Sequence, residues 1–286
     1  MTRRSLAGAV VLPAAPLMLP EASHEQPPEI REDVRELRRS ARAAVAALPS
    51  FDLAVMVASG TRGVYDQAVA SLAPLGIQEP EIQLPVDTET LEHLSRLTQY
   101  PMFRGDPLGI SHSVLALQLH ASRRLMPVVP LNVPAGADFD VLVSVGASIA
   151  EAARDAERLT AVLCPGDLSA GLHEGSPAPS IASARDWDAA VVAAFEEGDL
   201  GALRELGPRE AERVHSLGWA PLAVLHGVCA SARLRPVLLG YRSPRGVGQV
   251  VAHCIPEDEL ATERYDLALP GHEHDGVVPR TGDPRG

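Results

Sequence analysis

The sequence predicts an α/β fold in which a central, mostly buried mixed sheet is flanked by helices. Two short apolar runs, at residues 7–12 and 52–58, have the length of strands and do not alternate apolar with polar residues. Such runs are typical of strands that are covered on both faces. A long amphipathic segment at residues 29–48 lies between them, and the order strand, helix, strand indicates an α/β sheet.

The segment at residues 29–48 has the spacing of a helix. Its apolar side chains step by three and four residues, which places them on one buried stripe: Ile30, Val34, Leu37, Ala41, Val45 and Leu48. Its other faces carry Glu and Arg at neighbour spacing, and we expect the pairs Glu32–Arg35 and Glu36–Arg39.

Further elements follow in a regular order. Asp87 or Thr88 is expected to cap a helix that reaches residue 97, and Ser183 a helix that reaches residue 197. Pro208 is expected to begin another helix. Composition predicts helices at 111–125, 139–158 and 199–206, strands at 127–133 and 160–164, and a hairpin formed by 233–241 and 246–255. We assign residues 1–256 to one domain and expect residues 257–286, which are charged and rich in Pro and Gly, to be a disordered tail.

Composition excludes several classes of function. The formal net charge is −12, so the chain does not have the basic surface of a nucleic-acid-binding protein. All 25 basic residues are Arg, and without a Lys there can be no Schiff base, no Lys-anchored pyridoxal cofactor and no P-loop lysine. The sequence contains no run of about 18 consecutive apolar residues, so it does not predict a membrane span. The three Cys show no CxxC spacing, which favours a cytoplasmic protein in a reducing compartment.

Five stretches, taken in order, resemble the B-subunit family of class III extradiol dioxygenases and its Memo-like relatives. They are AVVLPAAPLMLPE at 9–21, DLAVMVASG at 52–60, ISHSVLALQLHASRRLMPVVPLNV at 110–133, LCPGDLSAGL at 163–172, and the helix-rich segment and hairpin at 186–252. The resemblance implies the family's α/β fold and a ring-cleavage reaction at ferrous iron, which two His and one Glu hold with open positions for the substrates. It also leaves open a homo-oligomer.

The chain departs from the family where the resemblance places the metal ligands. The first His belongs in the loop at 13–16, where this chain has Ala14 and Ala15. The second belongs after the strand at 52–58, where Ser59 and Gly60 stand. The carboxylate, or a Cys in Memo-like members, belongs near residues 240–243, where the sequence is Gly-Tyr-Arg-Ser. The acid/base His of the turn at 166–170 is replaced by Ala170. We therefore expect no iron at this place, and no other cofactor.

Four residues remain as candidates for catalysis or binding. His112 matches a family His that faces the substrate, although it could instead be a structural His that only forms hydrogen bonds near a helix terminus. His173 follows the missing base in a flexible loop, and it or Glu174 could replace that base. Asp167 lies on the turn itself, where it acts in chemistry or caps the turn through bonds to backbone N–H groups.

Two other motifs give weaker signals. The turn Ser59-Gly60-Thr61-Arg62-Gly63 follows a predicted strand and could hold an anion, but a plain turn is the simpler interpretation. The run His272-Glu273-His274-Asp275 lacks HExxH spacing and lies in the expected tail, so it does not predict a metal site.

The sequence leaves three functions open, all using a pocket at the strand ends lined by residues 13–16, 59–62, 166–173 and His112. The residues favour a metal-free relative that binds a small aromatic or carboxylate ligand, or a protein partner. A ring-cleavage dioxygenase would need substituted iron ligands from among Glu21, His24, His112 and His173. A third function is an acid/base reaction at His112 or His173.

Overall fold

The computed structural model describes residues 5–23, 26–78, 80–105, 108–122 and 126–257. Its helices are α1 (Pro20–Ser23), α2 (Pro28–Ala47), α3 (Thr88–Thr98), α4 (Ile110–Ala121), α5 (Phe139–Asp155), α6 (Ala184–Glu197), α7 (Leu203–Arg213) and α8 (Trp219–Ala232). Its strands are β1 (Leu6–Leu12), β2 (Leu53–Ser59), β3 (Gly63–Tyr65), β4 (Ala68–Ser71), β5 (Glu81–Leu84), β6 (Met102–Phe103), β7 (Val128–Val133), β8 (Thr160–Pro165), β9 (Leu234–Arg242) and β10 (Gln249–Pro256).

Eight of these strands form one mixed sheet, which confirms the predicted fold class. Their order is β6-β3-β7-β2-β8-β1-β10-β9, while β4 and β5 form a separate antiparallel pair. The strands β7, β2, β8 and β1 run parallel, so their carboxyl ends meet at one edge of the sheet. The β9–β10 hairpin joins antiparallel to β1, which brings the end of the described chain beside its beginning.

Helices cover both faces of the sheet and divide the core into two clusters. One face packs against α2 and α4, and its core includes Leu12, Leu37, Met56, Leu115 and Leu163. The other face packs against α3, α5, α6, α7 and α8. The sheet is therefore buried on both sides, which explains why β1, β2 and β8 have continuous apolar sequences.

Several predicted elements agree closely with the structure. Asp87 caps α3 by accepting a hydrogen bond of 3.0 Å from the N–H of Thr90. Arg35 pairs with Glu32, whereas Glu36 pairs with Arg242 of β9 rather than with its own helix.

Two helix starts differ in detail from the prediction. Ser183 precedes α6 without capping it, because its hydroxyl donates to Glu210 Oε1 instead. The helix start predicted at Pro208 coincides with a break in α7, where Gly207 has a φ of 63°.

The expected tail, from residue 258 onward, and His24 lie outside the described residues. No helix within the described part of the chain is both long enough and apolar enough to cross a membrane.

Candidate functional site

The carboxyl ends of β1 and β8 bring two predicted positions into direct contact. The loop after β1 places Ala14 beside Asp167, and the Ala14 N–H donates to Asp167 Oδ2 over 3.1 Å. Asp167 also forms a backbone bridge with Gln249 at the start of β10. At the position where the resemblance puts an iron-binding His, the backbone N–H of Ala14 is therefore hydrogen-bonded to a buried carboxylate.

Asp167 is a strongly perturbed acid. Its residue is 7% exposed, and burial raises the pKa of its carboxyl group to about 6, although Gln249 and the N–H groups of Ala14 and Asp167 itself act in the opposite direction. Gln249 is 1% exposed, and its two amide atoms form no hydrogen bond of normal geometry within the described chain. The Gln249 amide lies close enough to Asp167 to lower the pKa of its carboxyl group. Its Nε2 and Oε1 nevertheless remain buried without a hydrogen-bond partner among the described residues.

A second buried carboxylate, Asp188 of α6, fixes the turn that carries Asp167. Asp188 Oδ1 accepts from the N–H of Ser169 over 2.9 Å, and Oδ2 accepts from the hydroxyl of Tyr241 over 2.6 Å. Burial raises the pKa values of both Asp188 and Tyr241. A Cβ at Gly248 would lie 1.9 Å from Asp188 Oδ2, so any larger residue there would have to displace this carboxylate.

His112 lies in the core rather than in an open pocket. It is 1% exposed at the start of α4, and its Nε2 donates to the carbonyl of Met56 in β2 over 3.0 Å. Burial lowers the pKa of His112 to about 4, against a smaller effect from the carbonyls of Met56 and Leu131. His112 is thus a buried, neutral imidazole that is hydrogen-bonded to a strand, as expected of a residue that serves packing. A catalytic role for His112 stays a prediction.

His173 lies at the surface, with its Nδ1 2.8 Å from the carbonyl of Glu174. That contact requires the proton on Nδ1 and leaves Nε2 as the basic nitrogen. Nε2 is close to Gly246 in the β9–β10 turn. No hydrogen bond or ion pair joins His112, Asp167 and His173 to one another in the described structure, so they do not form one catalytic group here.

The turn after β2 is engaged in structural contacts. Ser59 Oγ donates to the carbonyl of Leu217 over 2.7 Å, and the neighbouring Gly218 N–H donates to the carbonyl of Asp167 over 2.7 Å. Arg62 lies over the ring of Tyr100, 5.5 Å from its centre. The strand-end loops thus converge as expected, but their polar groups are largely satisfied by each other.

The residues at this convergence do not fit the iron ion that the resemblance implies. Ala14 and Ala15 supply no metal ligand, and Ser59 uses its hydroxyl in a bond to Leu217. Across the ranges that the structure describes, no group of three His, Cys, Asp or Glu side chains could hold a metal ion. Of the substitute ligands, His112 is enclosed in the core, Glu21 is exposed on α1 and His173 is exposed in its loop.

A cavity of about 210 Å³ lies on the α2 and α4 face of the sheet. Its wall is mainly apolar, with a few polar groups, and is formed by Leu12, Met18, Leu19, Pro20, Arg38, Ala41, Arg42, Val45, Gln118, Ala121 and Ser122. Gln118 ties the cavity to the strand-end loop, because its Nε2 donates to the carbonyl of Pro13 over 2.8 Å. An apolar wall with a few convergent polar groups is typical of small-molecule sites.

Two guanidinium groups supply the positive charge of this cavity. Arg38 is half-buried and donates from Nε to the carbonyl of Met18 over 2.8 Å and from Nη2 to Ser23 Oγ over 2.7 Å. Burial lowers the pKa of Arg38; the nearby charge of Glu21 raises it, and the smaller effect of Arg42 lowers it. Arg42 is exposed and makes no hydrogen bond or ion pair to another described side chain, so an anion between the two guanidiniums would relieve their repulsion.

Neither arginine was predicted from the sequence, and neither were the buried residues Asp188 and Gln249. Arg31, Arg35, Arg38 and Arg42 are spaced by four, three and four residues beside the apolar stripe of α2, and this spacing was the signal that could have identified a basic face. Asp188 and Gln249 offer no comparable signal, because one lies in an ordinary helical pattern and the other in an apolar strand.

Comparisons with known proteins concern the fold alone. No family model matches the chain, and no curated protein matches it. A solved structure, that of the uncharacterized protein JW3007 from Escherichia coli K12, is similar at a TM-score of 0.57 and 16% identity. The match covers 86% of this chain and 99% of that chain. This chain therefore has an architecture already seen in another protein.

Proposed function

We propose that the protein is a divergent, metal-free relative of the class III extradiol dioxygenases that binds a small molecule with an anionic group, such as a carboxylate, and an apolar body. The observation that carries the proposal is the cavity of about 210 Å³ in which Arg38 and Arg42 stand beside an apolar wall. Its volume is below the roughly 300–1,000 Å³ of drug-sized sites. At about 30 Å³ for each water-sized group, it has room for an apolar tail of about seven such groups.

The charges of the cavity support a carboxylate rather than a neutral ligand. Arg38 uses Nε and Nη2 in bonds to the protein, which leaves its Nη1 without a hydrogen-bond partner in the described structure. Arg42 adds a second guanidinium. Guanidinium groups match the geometry of carboxylates, and the half-buried guanidinium of Arg38 attracts an anion more strongly than a fully solvated one does.

The strand-end contacts support the loss of iron chemistry in the proposal. A dioxygenase requires open coordination positions on a metal that side chains hold. Here Asp167 accepts a bond from Ala14 N–H, and Ser59 is bonded to Leu217. The alternative of acid/base catalysis at His112 has less support, since an imidazole enclosed at 1% exposure cannot reach a substrate without movement of α4.

The proposal predicts that octanoate and 3-phenylpropionate bind, and that Arg42→Gln weakens both by at least about tenfold, equivalent to about 1.4 kcal/mol. Isothermal titration calorimetry measures the affinities. Arg39→Gln is the matched control, because Arg39 is exposed on the same helix but does not line the cavity. Octanol, which lacks the carboxylate, should bind the native protein weakly. Equal effects of the two variants, or no binding of either acid, would contradict the proposal.

The proposal also predicts that the protein retains far less than one iron per chain after anaerobic incubation with ferrous iron and desalting. Elemental analysis of tag-free protein measures this directly. A variant that ends at residue 257 serves as the control, because it removes the run His272–Asp275 that could bind metal non-specifically. Iron close to one per chain in both forms would support the dioxygenase alternative and overturn the metal-free proposal.

A further inference from the structure

A second cavity, of about 580 Å³, adjoins the first on the same side of α2. Pro20 and Arg38 line both cavities, so the two spaces share the part of their wall that Arg38 forms. The second cavity is more basic than the first, since its wall includes Arg31 and Arg35 as well as Arg38. Ser23 of α1 also lines it and holds the Arg38 guanidinium in place.

The four arginines of α2 form one continuous basic stripe along the two cavities. Arg31, Arg35, Arg38 and Arg42 are spaced by four, three and four residues, which keeps them on one side of a helix. At 1.5 Å per residue, the stripe is about 16 Å long. The whole chain has a net charge of −12, so this concentration of cations is a local feature with a specific attraction for anions.

Within the ranges that the structure describes, the acidic side chains near the stripe balance only part of its charge. Glu32 pairs with Arg35 at the exposed surface, and Glu21 acts on Arg38. Asp33 and Glu36 instead face Arg242 of β9. A ligand at the second cavity would therefore compete with Glu32 for Arg35 while meeting Arg31 and the unused N–H groups of Arg38.

We infer that the ligand of the proposed site carries a phosphorylated head with more than one negative charge. This inference rests on the proposed function and names the chemical class of its ligand. The apolar tail occupies the smaller cavity between α2 and α4, and a phosphate or diphosphate ester occupies the larger one along Arg31, Arg35 and Arg38. A single carboxylate would leave most of the larger cavity and two of its guanidiniums unused, whereas phosphate oxygens accept several guanidinium bonds at once.

The test compares three probes with eight carbon atoms each: octanoate, octyl phosphate and octyl diphosphate. For the native protein, calorimetry should give an affinity for octyl diphosphate at least about tenfold higher than for octanoate, with octyl phosphate between them. The ratio of the affinity for octyl diphosphate to that for octanoate should fall at high salt, because it depends on charges near the surface. The Arg31→Gln/Arg35→Gln variant should bind octyl diphosphate about tenfold or more weakly than the native protein does. Its affinity for octanoate should change by less than about twofold.

The control variant, Arg39→Gln/Arg209→Gln, removes the same net charge at exposed positions outside both cavities. Retained binding of octanoate shows that the Arg31→Gln/Arg35→Gln protein is folded. If octanoate binds and the phosphorylated probes bind no tighter, the inference fails and the proposed function stands. If the diphosphate advantage survives in Arg31→Gln/Arg35→Gln, or falls equally in the control, the head lies elsewhere and the inference is wrong. If no probe binds, both proposals fail.

Discussion

Replacing Gly146 with alanine is expected to lower the free energy of unfolding by about 2–3 kcal/mol, because it forces two buried helices apart. Gly146 lies in α5, where an added Cβ would be 2.1 Å from the carbonyl oxygen of Val224 in α8. The contact is reciprocal, since a Cβ at Gly227 of α8 would be 2.1 Å from the carbonyl oxygen of Val143. Backbone atoms cannot swing aside as the end of a side chain can, so the helices must separate and lose packing along their length.

Urea unfolding of the native and variant proteins measures this effect. Gly136→Ala is the control, because a Cβ at Gly136 meets nothing within 4 Å, and its expected change lies within about 0.5 kcal/mol. Helix propensity acts in the opposite direction, as alanine favours a helix by about 1 kcal/mol over glycine. A Gly146→Ala protein as stable as the native protein, or more so, would show that propensity outweighs the contact and that α5 and α8 are not held this closely.

The helix contact at Gly146 shows why only part of this fold could be predicted from the sequence. A helix at residues 139–158 was predicted despite Gly146, and the structure confirms it as α5. The reason for the glycine lies in α8, which was not predicted as a separate helix. Ten residues of α8 are buried, on all sides of the helix, so it lacks the apolar stripe that reveals an amphipathic helix.

The strands show the same division between local and distant information. Those in the middle of the sheet, β1, β2, β7 and β8, were predicted because burial on both faces gives each a continuous apolar sequence. The short strands β3 and β6, with three and two residues, were missed. They are defined by their pairing with neighbours rather than by their own composition. The β4–β5 pair was also missed, although residues 81–84 do alternate polar with apolar side chains.

At the site, the sequence predicted which loops lie at the strand ends but not the state of their side chains. Asp167 was a candidate for chemistry or capping, and the structure shows it accepting the N–H of Ala14 from another loop. The burial of His112 depends on how α4 lies on β2, and no local pattern encodes that geometry. Arg38 and Arg42 become part of a cavity only because the segment at residues 16–23 packs against α2.

Asp167→Asn is expected to make the protein more stable at pH 7 by about 2–3 kcal/mol, while leaving its stability near pH 4 almost unchanged. Burial raises the pKa of Asp167 to about 6 in the folded state, and the unfolded value is about 3.9. The folded state therefore binds more protons between these two values. Protonated Asp167 therefore contributes to the free energy of unfolding of the native protein. This contribution is fully present below about pH 4 and is lost as pH rises through 6, and it amounts to about 1.4 kcal/mol for each unit of pKa shift. An asparagine keeps an oxygen for Ala14 N–H, and its NH₂ group could donate to the unpartnered Oε1 of Gln249.

Urea unfolding of both proteins between pH 4 and pH 7.5 separates this effect from others. Burial also raises the pKa values of Asp33 and Asp188, so the native curve alone contains several contributions, whereas the difference between native and Asp167→Asn isolates one. Asp52→Asn is the control, because Asp52 is exposed before β2 and its removal should shift the curve little at any pH. A stability difference that does not depend on pH would mean that burial does not raise the pKa of Asp167. A variant less stable at pH 7 would show instead that the charged carboxylate holds the Ala14 loop, and through it the wall of the cavity, in its folded position.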